Sequence, residues 1–296
     1  MTAPLWIIDG TSTLLRPWFA GAPGTSPDGR PCGAVRAFAS RLRRFVRQDH
    51  IAHGVVVFDI SLHTFRRDLD PRYKAHRPEP PDTLIWEFAQ AEAVARAMGF
   101  GVYATPHFEA DDLAATFCRL ARSVGRPARV VADDKDLFQL VVDADPSVAV
   151  VSLRNGTVWD HAAVVEKMGV RPDQVVDFQA LVGDATDGVE GVKGIGAKTA
   201  AGLLRVAPLE ALLANPSLAA SAKVRGAKKM PEKLSAGADI ARLARELVRL
   251  RDDVPLETAV REGTVFPAHN LRDGFALTPP QPQHPVWSRL GRAMPK

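Results

Sequence analysis

Three short apolar runs, each leading into an acidic residue, constrain the fold of this chain most strongly. They are Leu5–Asp9, Val55–Asp59 and Ala128–Ala132, the last followed at once by Asp133 and Asp134. Continuous apolar runs of this length are typical of strands covered on both faces, as in a parallel sheet. Because ligands gather beyond the carboxyl ends of parallel strands, the acids that end these runs should share one edge of the sheet.

Helical patterns separate and follow these runs. Gly33–Gln48, Thr83–Met98 and Ala110–Val124 have helical periodicity, and beyond about Val170 the pattern is purely helical, including Ile240–Leu250. Alternation of strands and helices predicts an α/β fold with a central, mostly parallel sheet between helices, followed by a helical region. We therefore expect three parts, namely an α/β core at 1–170, a helical region at 171–260 and a Pro-rich C-terminal tail at 261–296.

Bulk properties exclude several classes of protein. The net charge of +4 and the pI of about 9.2 fit a polyanionic partner without proving one. The only two cysteines, Cys32 and Cys118, lack metal-ligand spacing and form no disulfide framework, which indicates a reducing compartment. No apolar run reaches the ~18 residues of a membrane helix, and residues 1–9 lack the basic region of a signal peptide. We expect a cytoplasmic protein with no membrane segment.

Nine carboxylates stand at strand ends, helix starts or short turns. They are Asp9, Asp59, Glu109, Asp111, Asp112, Asp134, Asp136, Asp184 and Asp187. Each one taken singly has a better structural explanation, because acids cap helices and initiate turns. Taken together they would repel one another at a shared edge unless a divalent cation compensated the charge. Ligands that offer only oxygen favour Mg²⁺ or Mn²⁺ over zinc, and two such ions about 4 Å apart suit phosphodiester hydrolysis.

The segment 62–81 is strongly basic and ends in several prolines. It contains Arg66, Tyr73, Lys74 and Arg77, and we predict a mobile basic excursion from the sheet. For these residues alone, solvated loop charge would be the simpler explanation.

A Gly-rich turn and a second basic stretch lie in the helical region. Gly194 and Gly196 would allow a tight turn whose backbone approaches DNA phosphates, although most Gly-x-Gly sequences are ordinary turns. The candidate DNA-binding residues are Gly191, Lys193, Gly194, Gly196, Lys198, Thr199, Lys223, Arg225, Lys228 and Lys229.

The order of motifs resembles one known family. In chain order the motifs are Ile-Ile-Asp-Gly, Val-Phe-Asp, Thr-Phe-Arg, Tyr-Lys-Ala-His-Arg, Phe-Glu-Ala-Asp-Asp, Asp-Lys-Asp-Leu-Phe-Gln-Leu-Val, Gly-Asp-Ala-Thr-Asp and Gly-Val-Lys-Gly-Ile-Gly-Ala-Lys-Thr-Ala. From about Leu5 to about Leu256 the chain resembles the bacterial 5′→3′ exonuclease and flap endonuclease family, which includes the N-terminal nuclease domain of bacterial DNA polymerase I. No polymerase domain follows, which predicts a stand-alone member with a PIN-like fold and a helix–hairpin–helix region.

The resemblance implies a role for each motif residue. The first metal cluster would comprise Asp9, Asp59, Glu109, Asp111 and Asp112, and the second Asp134, Asp136, Asp184 and Asp187. Tyr73, Lys74 and Arg77 would belong to an arch through which a single-stranded 5′ end passes. Lys74 would stabilise charge on the scissile phosphate, and Arg66 would steer that phosphate or its neighbour. Gly191 to Thr199 would form the hairpin, which in this family often holds a monovalent cation, K⁺ in our interpretation.

The implied activity is that of a divalent-metal-dependent, structure-specific 5′ nuclease in DNA replication and repair. Its substrates would be DNA with 5′ flaps, ends or nicks, with RNA primers as further substrates, and we expect a monomer associated with the nucleoid. One departure concerns Asp187–Gly191, which reads Asp-Gly-Val-Glu-Gly where the family usually has Asp-Asn-Ile-Pro-Gly. This altered loop leaves open a DNA-binding module with little chemistry. An RNA-directed nuclease of the smaller PIN type is a second alternative, although such domains lack the hairpin.

Overall fold

A six-stranded sheet forms the centre of the N-terminal part in the computed structural model, which describes residues 3–48, 51–256 and Pro285. The strands are β1 (Leu5–Asp9), β2 (Gly54–Asp59), β3 (Gly101–Thr105), β4 (Ala128–Val131), β5 (Val148–Val151) and β6 (Val158–Trp159). Their order is β3-β2-β1-β4-β5-β6, and every pairing is parallel except that of β5 with the edge strand β6. The predicted, mostly parallel sheet is confirmed.

The direction in which the sheet grows changes at β1. Ile7 of β1 lies opposite Val55 of β2 on one side and opposite Val130 of β4 on the other. The chain therefore builds β1, β2 and β3 in one direction and then returns to add β4 on the opposite side of β1. Such a switch point opens a crevice beyond the carboxyl ends of the strands. Asp9 and Asp59 end β1 and β2 at this edge.

Five helices accompany the sheet: α1 (Gly10–Phe19), α2 (Gly33–Gln48), α3 (Phe65–Leu69), α4 (Asp82–Ala97) and α5 (Ala110–Ser123). Ile8 and Val56 face one core, which contains residues of α1, α2 and α4. Ile7 and Val55 face the other core with Phe117 of α5. Both faces of the strands are thus buried, which explains why the strand sequences are continuously apolar.

The remainder of the described chain is helical. It comprises α6 (His161–Met168), α7 (Val175–Val182), α8 (Ala197–Leu204), α9 (Leu209–Ala214), α10 (Met230–Ala236) and α11 (Ala238–Val248), with short 3₁₀ turns between some of them. Leu203, Leu212 and Leu247 from this region share one continuous apolar core with Phe117 of α5. The helical region is therefore packed directly onto the sheet layer.

The predicted helices agree with the structure to within about two residues at each end, α2 fully and α4, α5 and α11 with small shifts. β3, β5 and β6 were not predicted. No helix in the described ranges has both the length and the apolar character needed to cross a bilayer. The predicted tail at 261–296 lies outside the described residues except for Pro285.

The segment 62–81 is packed in its first part and exposed in its second. It contains α3 and a turn that are folded onto the body, with Arg66 only 1% and Tyr73 only 4% exposed. α3 contacts α11, and the backbone of Phe65 donates to the carbonyl of His107. Residues 75–79 are exposed. The predicted basic excursion is therefore limited to the second part of the segment, and its mobility stays a prediction.

Candidate active site

A cleft of about 970 Å³ opens at the carboxyl edge of the sheet. Its walls include α1, α4, the segment 62–81 and the end of α11. Eight of the nine predicted carboxylates line this cleft: Asp9, Asp59, Glu109, Asp111, Asp134, Asp136, Asp184 and Asp187. The fold thus brings together acids that are widely separated along the chain, as the shared strand edge predicted.

Helix starts hold the acids at the strand ends in place. Asp9 caps α1, where its carboxylate accepts from the backbone N–H of Ser12 at 2.9 Å. Asp59 accepts from the N–H of Ala110, the first residue of α5, at 2.7 Å. These contacts have the form of ordinary helix capping. Capping therefore fixes the carboxylates here without using all of their oxygen atoms.

Burial and mutual repulsion raise the pKa values of several acids in the cleft. Burial, together with the nearby Asp59 and Asp134, raises the pKa of Asp9 to about 7 although Ser12 donates to it. Burial and Asp134 likewise raise the pKa of Asp136 to about 8. The pKa of Asp111 is raised well above its usual range by burial, then by Asp134 and Asp9. Groups of this kind are stabilised in their charged form by a cation among them.

Three basic side chains contribute positive charge to the cleft. Lys74 donates to Glu109 Oε2 at 2.8 Å and lies 3.5 Å from Asp187 Oδ2. Arg77 donates to Asp187 Oδ1 at 2.6 Å. Lys135 donates to Asp184 Oδ2 at 2.6 Å. Three of the cleft carboxylates, Glu109, Asp184 and Asp187, are thus paired with ammonium or guanidinium groups.

These ion pairs oppose the effect of burial. Burial alone would raise the pKa of Glu109, but Lys74 and Arg66 outweigh it and lower the pKa. Lys135 does the same for the pKa of Asp184. Within 3–48 and 51–256, no three acidic, histidine or cysteine side chains already converge as a finished metal site. The carboxylates line one cleft, but basic side chains lie between some of them. The carboxylates therefore do not converge on a single point.

The backbone fastens the segment 62–81 to the loop at Asp184 to Gly188. Lys74 has a φ of +50°, unusual for a residue other than glycine, and its N–H donates to the Asp187 carbonyl at 2.8 Å. Gly188, with a φ of +73°, faces Arg72 so closely that a Cβ there would lie 2.8 Å from the Arg72 carbonyl oxygen. Lys74 is thus positioned by its main chain as well as by its ion pairs.

Asp112 does not line the cleft with the other acids, and its assignment as a metal ligand stays a prediction. It is fully buried, and its two oxygens accept four hydrogen bonds: from Arg66 Nη1 at 2.6 Å, Arg66 Nη2 at 2.7 Å, Glu109 N at 2.9 Å and Arg251 N at 2.9 Å. Successive residues of a helix point roughly 100° apart. Asp111 and Asp112 therefore face different surroundings, and only Asp111 faces the cleft.

Arg66 is committed to the same buried pair. Besides Asp112, its guanidinium donates to the carbonyls of Leu247 at 2.7 Å and Arg249 at 3.1 Å. Four of its five N–H donors are therefore used within the protein, and the role of Arg66 in steering a phosphate stays a prediction. The pair joins α3, the start of α5 and the end of α11.

Two residues of the site escaped the sequence analysis. Lys135 separates Asp134 from Asp136 and reaches Asp184, and Gln179 of α7 donates to Asp136 Oδ1. The basic residue within Asp-Lys-Asp was a usable signal for Lys135. Gln179 lies on an apolar helix, and nothing in the local sequence distinguishes it.

The predicted hairpin is a tight turn that leads into α8. Gly194 has a φ of +76°, and Gly191 lies so close to the Val182 and Gly183 backbone that it has no room for a side chain. Gly196 precedes α8 with open space around it, and the N–H of Thr199 donates to its carbonyl. Lys193 and Lys198 are exposed on either side of this turn.

The second basic stretch, Lys223–Lys229, lies beside the hairpin. Val224 packs against Gly202 of α8, where a Cβ would collide with it. The exposed basic side chains in this stretch are Lys223, Arg225, Lys228 and Lys229. Val224 thus brings the start of this stretch against α8, a contact that the sequence alone did not establish.

An α/β sheet with carboxylates at its switch point, joined to a helical hairpin flanked by exposed lysines, defines a class of acid-lined nucleases. Family comparison agrees. Residues 4–169 match the model of the 5′-3′ exonuclease N-terminal resolvase-like domain, and residues 170–270 match that of the 5′-3′ exonuclease C-terminal SAM fold. The chain belongs to the 5′-3′ exonuclease family, and its enzymatic class is that of a nuclease.

Individual relatives agree with this placement. DNA polymerase I of Rhizobium leguminosarum is 39% identical over 262 residues, which are 86% of this chain and 25% of the relative. The chain thus spans about a quarter of that protein. A 5′-3′ exonuclease of Aquifex aeolicus is 33% identical over 201 residues, 68% of each chain. The family resemblance inferred from the motifs is confirmed.

Solved structures share the fold. The phage T5 5′-exonuclease with bound zinc ions has a TM-score of 0.69 and 20% identity over 83% of this chain and 89% of its own. A T5 flap endonuclease complexed with DNA and metal ions has a TM-score of 0.65 and 22% identity, covering 83% of this chain and 88% of its own. The predicted PIN-like fold with its helical second part is confirmed.

Proposed function

We propose that this protein hydrolyses DNA phosphodiesters at 5′ ends, flaps or nicks, with two Mg²⁺ or Mn²⁺ ions held in the carboxylate cleft. The observation that carries the proposal is the convergence of eight carboxylates, several with raised pKa values, beside Lys74 and Arg77. Membership of the 5′-3′ exonuclease family supports the proposed direction of cleavage, from the 5′ end. The structural similarity to a T5 flap endonuclease supports flap DNA as the proposed substrate class.

The donor set fits these ions. Hard divalent cations prefer carboxylate oxygen, and a cation bound among the buried acids would favour their charged form. We assign Asp9, Asp59, Glu109 and Asp111 to one ion and Asp134, Asp136, Asp184 and Asp187 to the other. Such an ion pair, when bound, activates a water molecule and stabilises the leaving oxygen.

The chain's own residues provide orientation and further positive charge. The Lys74 ammonium lies between Glu109 and Asp187, where it would meet a phosphate bound over these acids. Tyr73 donates to Glu109 Oε2 at 3.1 Å and holds that carboxylate in place. Charges fixed in a partly desolvated cleft stabilise a developing oxyanion more strongly than the same charges in water. Lys74 is therefore our candidate for transition-state stabilisation, with Arg77 beside it.

The helical region would hold the duplex. Lys193, Lys198 and the stretch Lys223–Lys229 present exposed positive charge around α8. Contacts of this kind bind the phosphate backbone and are independent of sequence. A T5 flap endonuclease of the same fold has been solved with DNA. We propose a similar division of labour here, in which residues 1–170 together with Asp184 and Asp187 form the catalytic cleft and the rest of residues 171–260 binds the duplex.

The test is cleavage of a 5′-labelled flap duplex by purified protein with Mg²⁺ or Mn²⁺, with and without EDTA. We expect release of the flap or of short 5′ products, and no release with EDTA. Tight flap binding without cleavage under any divalent ion would instead support a DNA-binding module. Preferential cleavage of an RNA flap would support a nuclease of the RNA-directed PIN type.

We extend the proposal to RNA primers as additional substrates, to a monomeric state and to a nucleoid-associated location in the cytoplasm. A chimeric flap with a 5′ RNA segment tests the first, and light scattering coupled to size-exclusion chromatography tests the second. Co-localisation of a tagged chain with the chromosome tests the third. Failure of any of these leaves the cleavage proposal intact.

A further inference from the structure

Lys233 of α10 makes a contact with the hairpin that the sequence analysis missed. Its Nζ donates to the Gly194 carbonyl oxygen at 2.8 Å. The side chain lies along Gly194, so that a Cβ there would be 2.5 Å from Nζ and 3.3 Å from Cε. The glycine therefore serves two purposes, since it permits the φ of +76° and leaves room for this lysine.

Close packing fixes the base of Lys233. Gly237 caps α10 by donating its N–H to the Lys233 carbonyl at 2.9 Å. A Cβ at Gly237 would lie 2.6 Å from Cγ1 of the buried hairpin residue Val192. Leu234, next to Lys233 in α10, is fully buried. The end of α10 is thus pressed onto the hairpin, and Lys233 projects from a rigid support.

The ammonium keeps spare hydrogen-bonding capacity. A lysine ammonium has three N–H donors, and the Gly194 carbonyl accepts one. Within the described part of the chain, Lys233 forms no ion pair with a carboxylate. Its charge and two donors are therefore free to meet an anion beside the turn.

The monovalent cation implied by the family resemblance does not fit this turn well. The exposed Gly194 carbonyl already accepts from Lys233. The Val192 carbonyl accepts from Ile195 N at 3.0 Å, and that of Gly196 accepts from Thr199 N and Ala200 N, each at 2.9 Å. A metal ion bound here would share an oxygen with an ammonium group and be repelled by it.

We propose that Lys233 is the resident cation of the hairpin, replacing a monovalent metal ion and contacting a DNA phosphate at this turn. The inference rests on the proposed binding of duplex DNA by the helical region. It adds Lys233 to the proposed DNA-binding surface and makes a monovalent metal ion at the hairpin unnecessary.

The experiment measures duplex binding in EDTA, so that cleavage does not interfere. Dissociation constants are determined by fluorescence anisotropy at fixed ionic strength in potassium chloride, sodium chloride and tetramethylammonium chloride. We expect the wild-type constants to agree within about twofold, because the hairpin needs no metal ion. A severalfold loss of affinity on replacing potassium by tetramethylammonium would overturn the proposal.

The variant Lys233→Met tests the phosphate contact. Loss of one such contact should make the negative slope of log K against log[salt] shallower by about 1. Arg47→Met is the matched control, since it removes an exposed positive charge from α2 on the opposite face of the sheet. We expect its slope to equal that of the wild type.

Two outcomes separate the failure of this inference from that of the proposed function. Wild-type protein that does not bind duplex at all contradicts the DNA-binding role of the helical region. Wild-type binding together with an unchanged slope in Lys233→Met contradicts only the role of Lys233. Thermal unfolding verifies the fold of the variant, and Lys233→Gln serves as a second neutral substitution if Met disturbs packing against α10.

Discussion

The carboxylate cleft and the hairpin face carry charge in opposite ways. In the cleft most of the acids are partly or fully buried and several contact basic side chains, as Glu109 contacts the half-buried Lys74 and the buried Asp184 contacts the more exposed Lys135. Around α8, Lys193, Lys198 and their neighbours are exposed to solvent. Buried charges interact strongly and are poorly screened, whereas exposed ones are screened and act nearly independently. Substitutions should therefore have large, coupled effects in the cleft and small, additive, salt-dependent effects at the hairpin.

The largest expected effect follows removal of a cleft acid. Asp184→Ala or Asp134→Ala should lower cleavage at least about 10³-fold, because each removes a proposed ligand of one ion. Binding of a flap duplex should change less than twofold. The control is Asp239→Ala, which removes a fully exposed acid of α11. Full activity in either cleft variant would refute the assignment of the second cluster.

Breaking the buried pair of Arg66 and Asp112 should come next. Arg66→Met leaves the fully buried Asp112 without its partner, which costs about 3–5 kcal/mol of unfolding free energy. Urea denaturation measures this loss. Arg72→Ala, whose exposed guanidinium pairs with Asp70, should cost no more than about 1 kcal/mol. Equal stability of the two variants would mean that burial does not set the strength of these pairs.

Lys74→Ala should slow the chemical step about 10²-fold without a comparable loss of DNA affinity. The reason is that its ammonium is held over the acids rather than on the DNA-binding face. Single-turnover cleavage at saturating enzyme isolates this step, and anisotropy gives the affinity. An unchanged single-turnover rate would remove Lys74 from the catalytic group.

Divalent ions should stabilise the fold through the cleft. Mg²⁺ or Mn²⁺ at 100 times its dissociation constant should add about 2.7 kcal/mol, a rise in Tm of roughly 5 °C or more. Thermal unfolding with each ion and with EDTA measures the effect. Asp9→Asn should reduce this shift, since it removes one negative charge from the cleft. A shift that is identical in this variant would locate the ion elsewhere.

The smallest effect is expected on the hairpin side. The double variant Lys223→Ala, Arg225→Ala should reduce the salt slope of duplex binding by about 2, or 0.9 for each lost phosphate contact. Cleavage at saturating substrate should stay at the wild-type rate. A loss of turnover at saturating substrate would contradict this separation of roles, because it would show that Lys223 and Arg225 affect the chemical step.

Much of the fold could be predicted because its strands are buried on both faces. β1, β2 and β4 are continuous apolar runs followed by acids, and α2, α4 and α5 have clear periodicity. β3 and β5 are as apolar but carry no acid at their ends, so nothing separated them from other buried segments. The family motifs supplied the acids of the site, and the sheet edge explained why they meet.

Side-chain direction is what the sequence could not provide directly. Asp111 and Asp112 are adjacent in one motif, yet only the first faces the cleft, because helix geometry separates them. The contacts of Arg66 with Leu247 and of Lys233 with Gly194 join residues far apart in the chain, so only the packed structure reveals them.

The contact between Gly188 and Arg72 has a consequence for substitution. A side chain at position 188 would have to accept a positive φ, which Asn tolerates better than most residues, and its Cβ would lie 2.8 Å from the Arg72 carbonyl oxygen. Gly188→Asn would therefore require the main chain at Arg72 to shift. The two loops are thus coupled, and the effect of a substitution at one of them should depend on the residue and backbone at the other.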